Sequence, residues 1–181
     1  KVNAGICTQI LADVFAVDAI INTGIAGSLQ AEINIGDLVI SSDAMQHDVD
    51  AREFGYERGQ IPRMDCLSFP ADEGLIAAAK ASCEKVNPNI ATFVGRVVTG
   101  DQFIASRQVK DEIKGFTGGL CTEMEGAAIA HAAYLNNIPY VVIRAISDKA
   151  DNSAEMDYPT FEREAAIHCA KLIEYMLPNI A

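Results

Sequence analysis

Four short segments carry residue types that could do chemistry. Ser147-Asp148-Lys149-Ala150-Asp151 follows directly on Tyr140-Val-Val-Ile-Arg-Ala-Ile146, an apolar run too continuous to have a wet face. A carboxylate at the end of such a strand is partly desolvated, which raises its pKa and suits a general acid. Holding an Asp half-protonated near pH 7 needs a shift of about 3 units, on the order of 4 kcal/mol. Burial supplies that, and a nearby Arg opposes it. Arg144 and Asp148 share a face of an extended strand, so another acid is expected to engage Arg144. The spacing is equally compatible with Asp148 as a helix cap or turn residue.

Glu123-Met124-Glu125 opens an Ala-rich stretch. Thr122 and Glu125 have capping-box spacing, the bland reading of Glu125. In the sharper reading one of the two glutamates pairs with Arg144 or accepts bonds from sugar hydroxyls. Asn22-Thr-Gly-Ile-Ala-Gly-Ser28 reads as a glycine-bearing turn that could offer backbone N–H groups to an oxygen-rich ligand. It matches neither G-x-G-x-x-G nor the P-loop, and spacing alone favours a plain tight turn. No Lys or Arg lies between Val2 and Arg52, so phosphate bound here would depend on cations from elsewhere. Gly100-Asp-Gln-Phe103-Ile104 could set an aromatic against a flat ligand, unless Phe103 is simply core. His47, His131 and His168 show no ligand spacing, and Ser82-x-x-Lys85 lies mid-helix without a companion motif. A metal or serine-nucleophile mechanism has little support.

The elements that must position these residues alternate between strand and helix. Residues 1–16 have helical spacing, and Val17–Ile21 is a short β-branched strand. Asp37–Ser41 and Phe93–Val98 are further strands, the latter ending at Thr99-Gly-Asp101. Residues 45–70 are polar, Gly- and Pro-punctuated and aromatic-bearing, the pattern of a long functional loop. Asp72 caps a helix to Val86; Thr122–Leu135 is a second, and Pro159 starts a last one to about Met176. Strands alternating with helices predict an α/β domain around a mixed sheet. Ligands in such sheets sit at the carboxyl ends of strands, here after Ile21, Val98 and Ile146.

Composition narrows the function classes. The 181 residues are 50% hydrophobic, enough for one packed domain over 1–181. Twenty-five Asp and Glu against 14 Lys and Arg give a net charge of −11, which repels phosphate backbones and anionic lipid. Neither nucleic acid nor a membrane is an expected partner. Gly126–Ile143 is free of formal charge, but His131, Asn136, Asn137 and Pro139 make it helix, turn and strand rather than a span. The five cysteines are scattered and odd in number, reading as small core residues in a reducing, cytoplasmic compartment.

Five blocks occur in one order over essentially the whole chain: Ile21-Asn-Thr-Gly-Ile-Ala-Gly27; Phe54-Gly-Tyr56 with Gly59-Gln-Ile-Pro62; Gly100-Asp-Gln-Phe103-Ile104; Glu123-Met-Glu-Gly-Ala-Ala-Ile-Ala-His131; and Arg144-Ala-Ile-Ser-Asp-Lys-Ala-Asp151. Together they resemble the bacterial 5′-methylthioadenosine/S-adenosylhomocysteine nucleosidases of the purine nucleoside phosphorylase superfamily. The resemblance implies a three-layer α/β/α fold with a central mixed sheet, and hydrolysis of an adenine nucleoside's N-glycosidic bond in methionine salvage. It implies that Asp148, supported by Ser147, protonates adenine N7, and that Phe103 stacks on the purine while the Ile104 backbone reads its edge. Met124 and Glu125 contact the ribose, with Arg144 in the same network. Ile25, Ala26 and Gly27 meet the ligand through their backbone; many relatives carry Ser where this sequence has Ile25. Phe54, Tyr56 and Pro62 line an alkylthio pocket partly across a subunit interface, which implies a homodimer, and Tyr158 falls near an aromatic that closes it. No metal or organic cofactor is implied; water is the second substrate.

The resemblance also implies an N-terminal strand and a Gly-Ala-Met-Glu-Glu-type segment ahead of the first helix, whose glutamate orients the attacking water. The expectation is that residues 1–181 alone are inactive and poorly folded. Two rivals share the fold. A phosphorolytic phosphorylase would hold phosphate with arginines around the glycine-bearing segment, which has none. A non-catalytic nucleoside-binding or storage relative is disfavoured by Asp148, Glu125, Arg144 and Phe103 occurring together.

Overall fold

Runs of β-branched residues and helical stripes of small apolar residues alternate along the chain. The structure, a computed structural model, describes the backbone of residues 1–151 and 154–180, and the side chains of these except 154–160, 164 and 165. Helix α1 (Val2–Phe15) stops where Ala16 enters the left-handed region, at φ 46°. Strands β1 (Ile20–Ser28) and β2 (Leu38–Gln46) follow, then a long connection with a 3₁₀ turn at Arg52–Phe54 and a short β3 (Phe69–Pro70). Helix α2 (Glu73–Val86) is capped by the Asp72 carboxylate, which accepts from Leu75 N at 2.9 Å. Strand β4 (Thr92–Thr99), helix α3 (Arg107–Thr117), strand β5 (Cys121–Glu123), helix α4 (Gly126–Leu135), strand β6 (Tyr140–Asp148) and helix α5 (Ala154–Met176) complete the order.

The strands form one mixed sheet, β3-β2-β4-β5-β1-β6, which curls until β2 also pairs antiparallel with β6. Every residue of β6 is buried, as its unbroken apolar run requires. Its side chains alternate between two cores. Tyr140, Val142 and Ile146 join a cluster with Ala127, Ala130 and Ala133 of α4, while Val141, Ile143 and Ala145 join Leu75, Ala79, Leu172 and Met176 of α2 and α5. Helices therefore cover both faces, and α1 packs outside α4. Helix α3 closes the end of the sheet, with Ile113 against Leu29, Val98 and Ile104.

Several expectations need correction. The segment 22–28 is not a turn but the body of β1, running parallel to β6. Its glycines are needed for close approach: a Cβ on Gly24 would lie 2.4 Å from Arg144 Nη1. The loop assigned to 45–70 begins only after β2, and Phe69 is core, stacked on His131 with ring centroids 4.9 Å apart. Helix α5 begins at Ala154, five residues before Pro159. Cys83, Cys121 and Cys169 are buried as expected, but Cys7 is exposed and Cys66 half-buried. Among the described residues no helix is long and apolar enough to cross a membrane.

The polar groups in this core set a pH dependence. Burial lowers the pKa of His131 below its ordinary 6.5, and lowers that of His47 against the opposing pull of Asp48. For Glu123 burial alone would raise the pKa from 4.5, but the Arg144 guanidinium, the Thr99 hydroxyl and the Gly126 N–H outweigh it and hold the carboxyl below that value. In each case the unfolded chain takes up the proton before the folded chain does as pH falls. Stability is therefore expected to decline once pH drops below 6.5 for the histidines and to decline further below 4.5 for Glu123. Melting temperatures measured down from neutrality test this; a Tm that rises on acidification to about pH 5 contradicts it.

Candidate active site

The three segments named from the sequence converge, although the one after Ile21 is the body of β1 and not the turn beyond a strand end. A cavity of about 130 Å³ lies where they meet, walled by Ile25, Ala26 and Gly27 of β1, Gln102, Phe103 and Ile104 after β4, Thr122 to Glu125 on β5 and beyond, and Ser147 and Asp148 of β6. Asp148 owes its place to a bulge. Ala26 pairs with Ile146 and Gly27 with Asp148, so Ser147 is an extra residue in β6. The extra residue turns Asp148 away from the face of Arg144, contrary to the expectation that the two share one. Asp148 instead leans over Gly27: a Cβ there would meet Asp148 Oδ1 at 2.7 Å and the Ala150 Cβ at 2.8 Å.

Asp148 is 2% exposed. Its Oδ1 accepts from Ala150 N at 2.7 Å and its Oδ2 from Ser147 Oγ at 2.9 Å. Ser147 thus supports Asp148 by direct contact. Gly27 is the only residue type that leaves this carboxylate its position, so Gly27→Ala is expected to lower catalysis by about 10²-fold through displacement of Asp148. Steady-state kinetics on folded G27A protein checks this; wild-type rates would contradict it.

Arg144 is engaged by another acid, as anticipated, and the acid is Glu123. Its Nη2 donates to Glu123 Oε2, and to Asn22 Oδ1 at 2.6 Å, with both charged side chains 2% exposed. Glu123 also takes the Thr99 hydroxyl on Oε1, and the backbone N–H groups of Glu125 at 3.1 Å and Gly126 at 2.7 Å on Oε2. The capping-box reading of Thr122 and Glu125 is therefore wrong. Glu123 supplies the carboxylate at the N-terminus of α4, where the helix dipole favours it, and Glu125 is the N-cap without a side-chain cap bond. Freed from capping, Glu125 faces the cavity with a side chain 54% exposed, its Oε2 4.0 Å from Arg144 Nη2.

Phe103 is not core. Its ring is about half exposed at the cavity wall, while Ile104 beside it is buried. Met124 is half-buried in the opposite wall. Within this single chain Phe54, Tyr56 and Pro62 do not line the cavity. Phe54 is 83% exposed on the 3₁₀ turn, and the Tyr56 hydroxyl accepts from Arg63 N at 3.2 Å. The side chain of Tyr158 lies outside the described residues. Gln102 and Thr122 line the cavity without a sequence signal as ligand contacts, and Thr99 and Asn22 hold the buried pair. Glu123 lines it as well and is one of the two glutamates that Glu-Met-Glu offered.

The cavity's charge is one-sided. Among the lining residues, Glu123, Glu125 and Asp148 are the ionisable groups, and no Lys or Arg is among them. Arg144, which lies against Gly24 of the glycine-bearing strand, is already neutralised by Glu123. Lys149, next in sequence to Asp148, turns outward to the carbonyl of Ile33. A buried acid over a glycine, a half-exposed aromatic and a carboxylate at a helix start suit a neutral nucleoside better than an anion.

Curled mixed sheet and strand-end cavity together are those of an enzyme of nucleoside cleavage: the chain belongs to the phosphorylase superfamily, whose pattern it matches over residues 1–178. Within it, the chain is 41% identical over 181 residues to a 5′-methylthioadenosine/S-adenosylhomocysteine nucleosidase of Staphylococcus aureus, covering 99% of this chain and 78% of that protein. It also superposes on the nucleosidase of that name from Neisseria meningitidis in complex with methylthio-immucillin-A, with TM-score 0.93, 38% identity and coverage of 98% and 76% of the two chains. The Colwellia psychrerythraea enzyme in complex with adenine gives TM-score 0.94 and 38% identity, covering 99% of this chain and 74% of that one.

Proposed function

We propose that this protein hydrolyses the N-glycosidic bond of 5′-methylthioadenosine and S-adenosylhomocysteine, releasing adenine and the corresponding thioribose. The observation that carries the reading is Asp148, buried at the bulged end of β6 in a cavity with no lining cation. As the C1′–N9 bond breaks, its electron pair goes to the purine, and a proton from Asp148 on N7 makes adenine a neutral leaving group. The sugar is left with oxocarbenium character; water adds at C1′ and sheds one proton to solvent, which returns one to Asp148 for the next turnover. Glu125 accepts from the ribose hydroxyls and, as an anion near the ring, favours the developing positive charge. Phe103 stacks on the base, Met124 packs on the sugar, and the Ile25–Gly27 and Ile104 backbones border the ligand.

The charge of the cavity separates this reading from phosphorolysis. A phosphate dianion placed beside Glu123, Glu125 and Asp148 would meet no free guanidinium among the lining residues, whereas water carries no charge to compensate. Product identity tests it: hydrolysis leaves a free reducing thioribose, and a sugar 1-phosphate in its place overturns it. We further propose that the protein acts in the cytoplasm as a homodimer, with Phe54, Tyr56 and Pro62 completing the alkylthio pocket of a partner. The exposure of Phe54 and its position away from the cavity of its own chain support that assignment.

A further inference from the structure

One polar atom behind the cavity wall has no use in the mechanism above. Thr122 is 5% exposed and borders the cavity, yet its Oγ1 is sealed from solvent and has no hydrogen-bond partner among the described residues. Nearly all buried polar atoms are paired, and leaving a hydroxyl unpaired costs about 1–3 kcal/mol. Valine would fill the same space without that penalty. The neighbouring hydroxyls are all committed: Thr99 donates to Glu123, Ser147 to Asp148, and Thr117 to the Ile113 carbonyl.

The position of Thr122 indicates which partner it lacks. Thr122 pairs with Gly27 across β5 and β1, and Gly27 pairs with Asp148 across β1 and β6. Paired residues point to the same face of a sheet. Thr122 and Asp148 therefore flank Gly27 on one face, where Asp148 Oδ1 and the Ala150 Cβ fill the place a Gly27 side chain would take, and Thr122, Gly27 and Asp148 all border the cavity. Thr122 lies opposite Glu123, whose carboxylate faces Arg144 on the other side of β5. A rotation about χ1 exchanges the methyl and hydroxyl of a threonine at nearly constant volume, so the hydroxyl can meet an occupant of the cavity without backbone movement.

We infer that Thr122 is a further ligand-positioning residue, its hydroxyl hydrogen-bonding a polar atom of the purine base whose N7 meets Asp148. A hydroxyl both donates and accepts, so it serves either a ring nitrogen or an amino group. This rests on the proposed reading that adenine occupies the cavity.

The test is calorimetric titration of adenine into wild-type, Thr122→Val and Thr122→Ser proteins, with steady-state kinetics on each. Thr122→Val is expected to raise the adenine Kd and the KM by about threefold to tenfold with kcat little changed, and Thr122→Ser to restore wild-type affinity. A Tm for the Val variant at or above wild type shows that the loss is not one of folding. Wild-type adenine affinity in Thr122→Val overturns the inference alone, as does a Ser variant as weak as the Val variant, since shape and not the hydroxyl would then matter. Failure of the wild-type protein to bind adenine overturns the proposed function together with the inference.

Discussion

Asp148→Asn is expected to lower kcat for adenine release by about 10²–10⁴-fold, the range that a positioned general acid contributes, while adenine still binds. The amide keeps the shape of the carboxyl and can still accept from Ala150 N or Ser147 Oγ, as the carboxylate does at 2.7 and 2.9 Å. It cannot deliver a proton to N7. Affinity for the free base, which needs no such transfer, separates loss of chemistry from loss of the site. Retention of more than about a tenth of wild-type kcat would remove Asp148 from the role of acid. Loss of adenine binding in a folded variant would make its role one of binding instead.

Glu123→Gln is expected to be the most destabilising single change at the site, costing about 3–5 kcal/mol, because it strands the Arg144 guanidinium in the interior. Arg144 is 2% exposed, its Nε lacks a partner among the described residues, and among these the Glu123 carboxylate is the counter-charge at hydrogen-bonding distance. Glu125, at 4.0 Å and largely in solvent, screens little of the loss. Removing both charges as Glu123→Gln/Arg144→Met should recover a large part of the stability, since a buried ion pair is worth little against uncharged packing. Urea unfolding of the three proteins measures this. A single-variant cost below about 1 kcal/mol, the worth of a surface ion pair, would contradict the assignment of a desolvated pair.

In the proposed mechanism Asp148 must carry a proton before it reaches N7. An unneutralised Arg144 beside Asp148 would favour the carboxylate and oppose proton storage. The structure keeps them apart in two ways: the bulge at Ser147 moves Asp148 to the other face of β6, and Glu123 neutralises the guanidinium. The same Glu123 accepts the first N–H groups of α4, so that helix start, Arg144 and the orientation of Glu125 are coupled through one carboxylate.

How much of this was legible in the sequence depends on whether the cause is local. Strand β6 is readable because burial on both faces forces an unbroken apolar run, and α2 because Asp72 caps it. The continuation of β1 through Gly24 and Gly27 is not, because those glycines answer to Arg144 and Asp148 more than a hundred residues away. Helix α3 is hidden for another reason: the apolar residues that its charged stretch turns inward are few, Val109, Ile113 and Phe116. That Arg144 needs an acid followed from chemistry alone, but the choice of Glu123 over Glu125 depends on the alternation of a three-residue strand, β5. The bulge at Ser147 leaves no sequence mark, since a one-residue slip is decided by what each face must bury. Thr122 looks like a capping residue until its pairing with Gly27 places it in the cavity wall.

Adenine release from 5′-methylthioadenosine by the protein, followed by chromatography with and without phosphate, tests the central claim most directly. Hydrolysis at a cavity lined by acids and no cation predicts equal rates in both buffers, with free methylthioribose as the second product. Release that requires phosphate would contradict the account and point to a phosphorylase. No release under either condition, with adenine still bound, would make the protein a nucleoside-binding member of its superfamily.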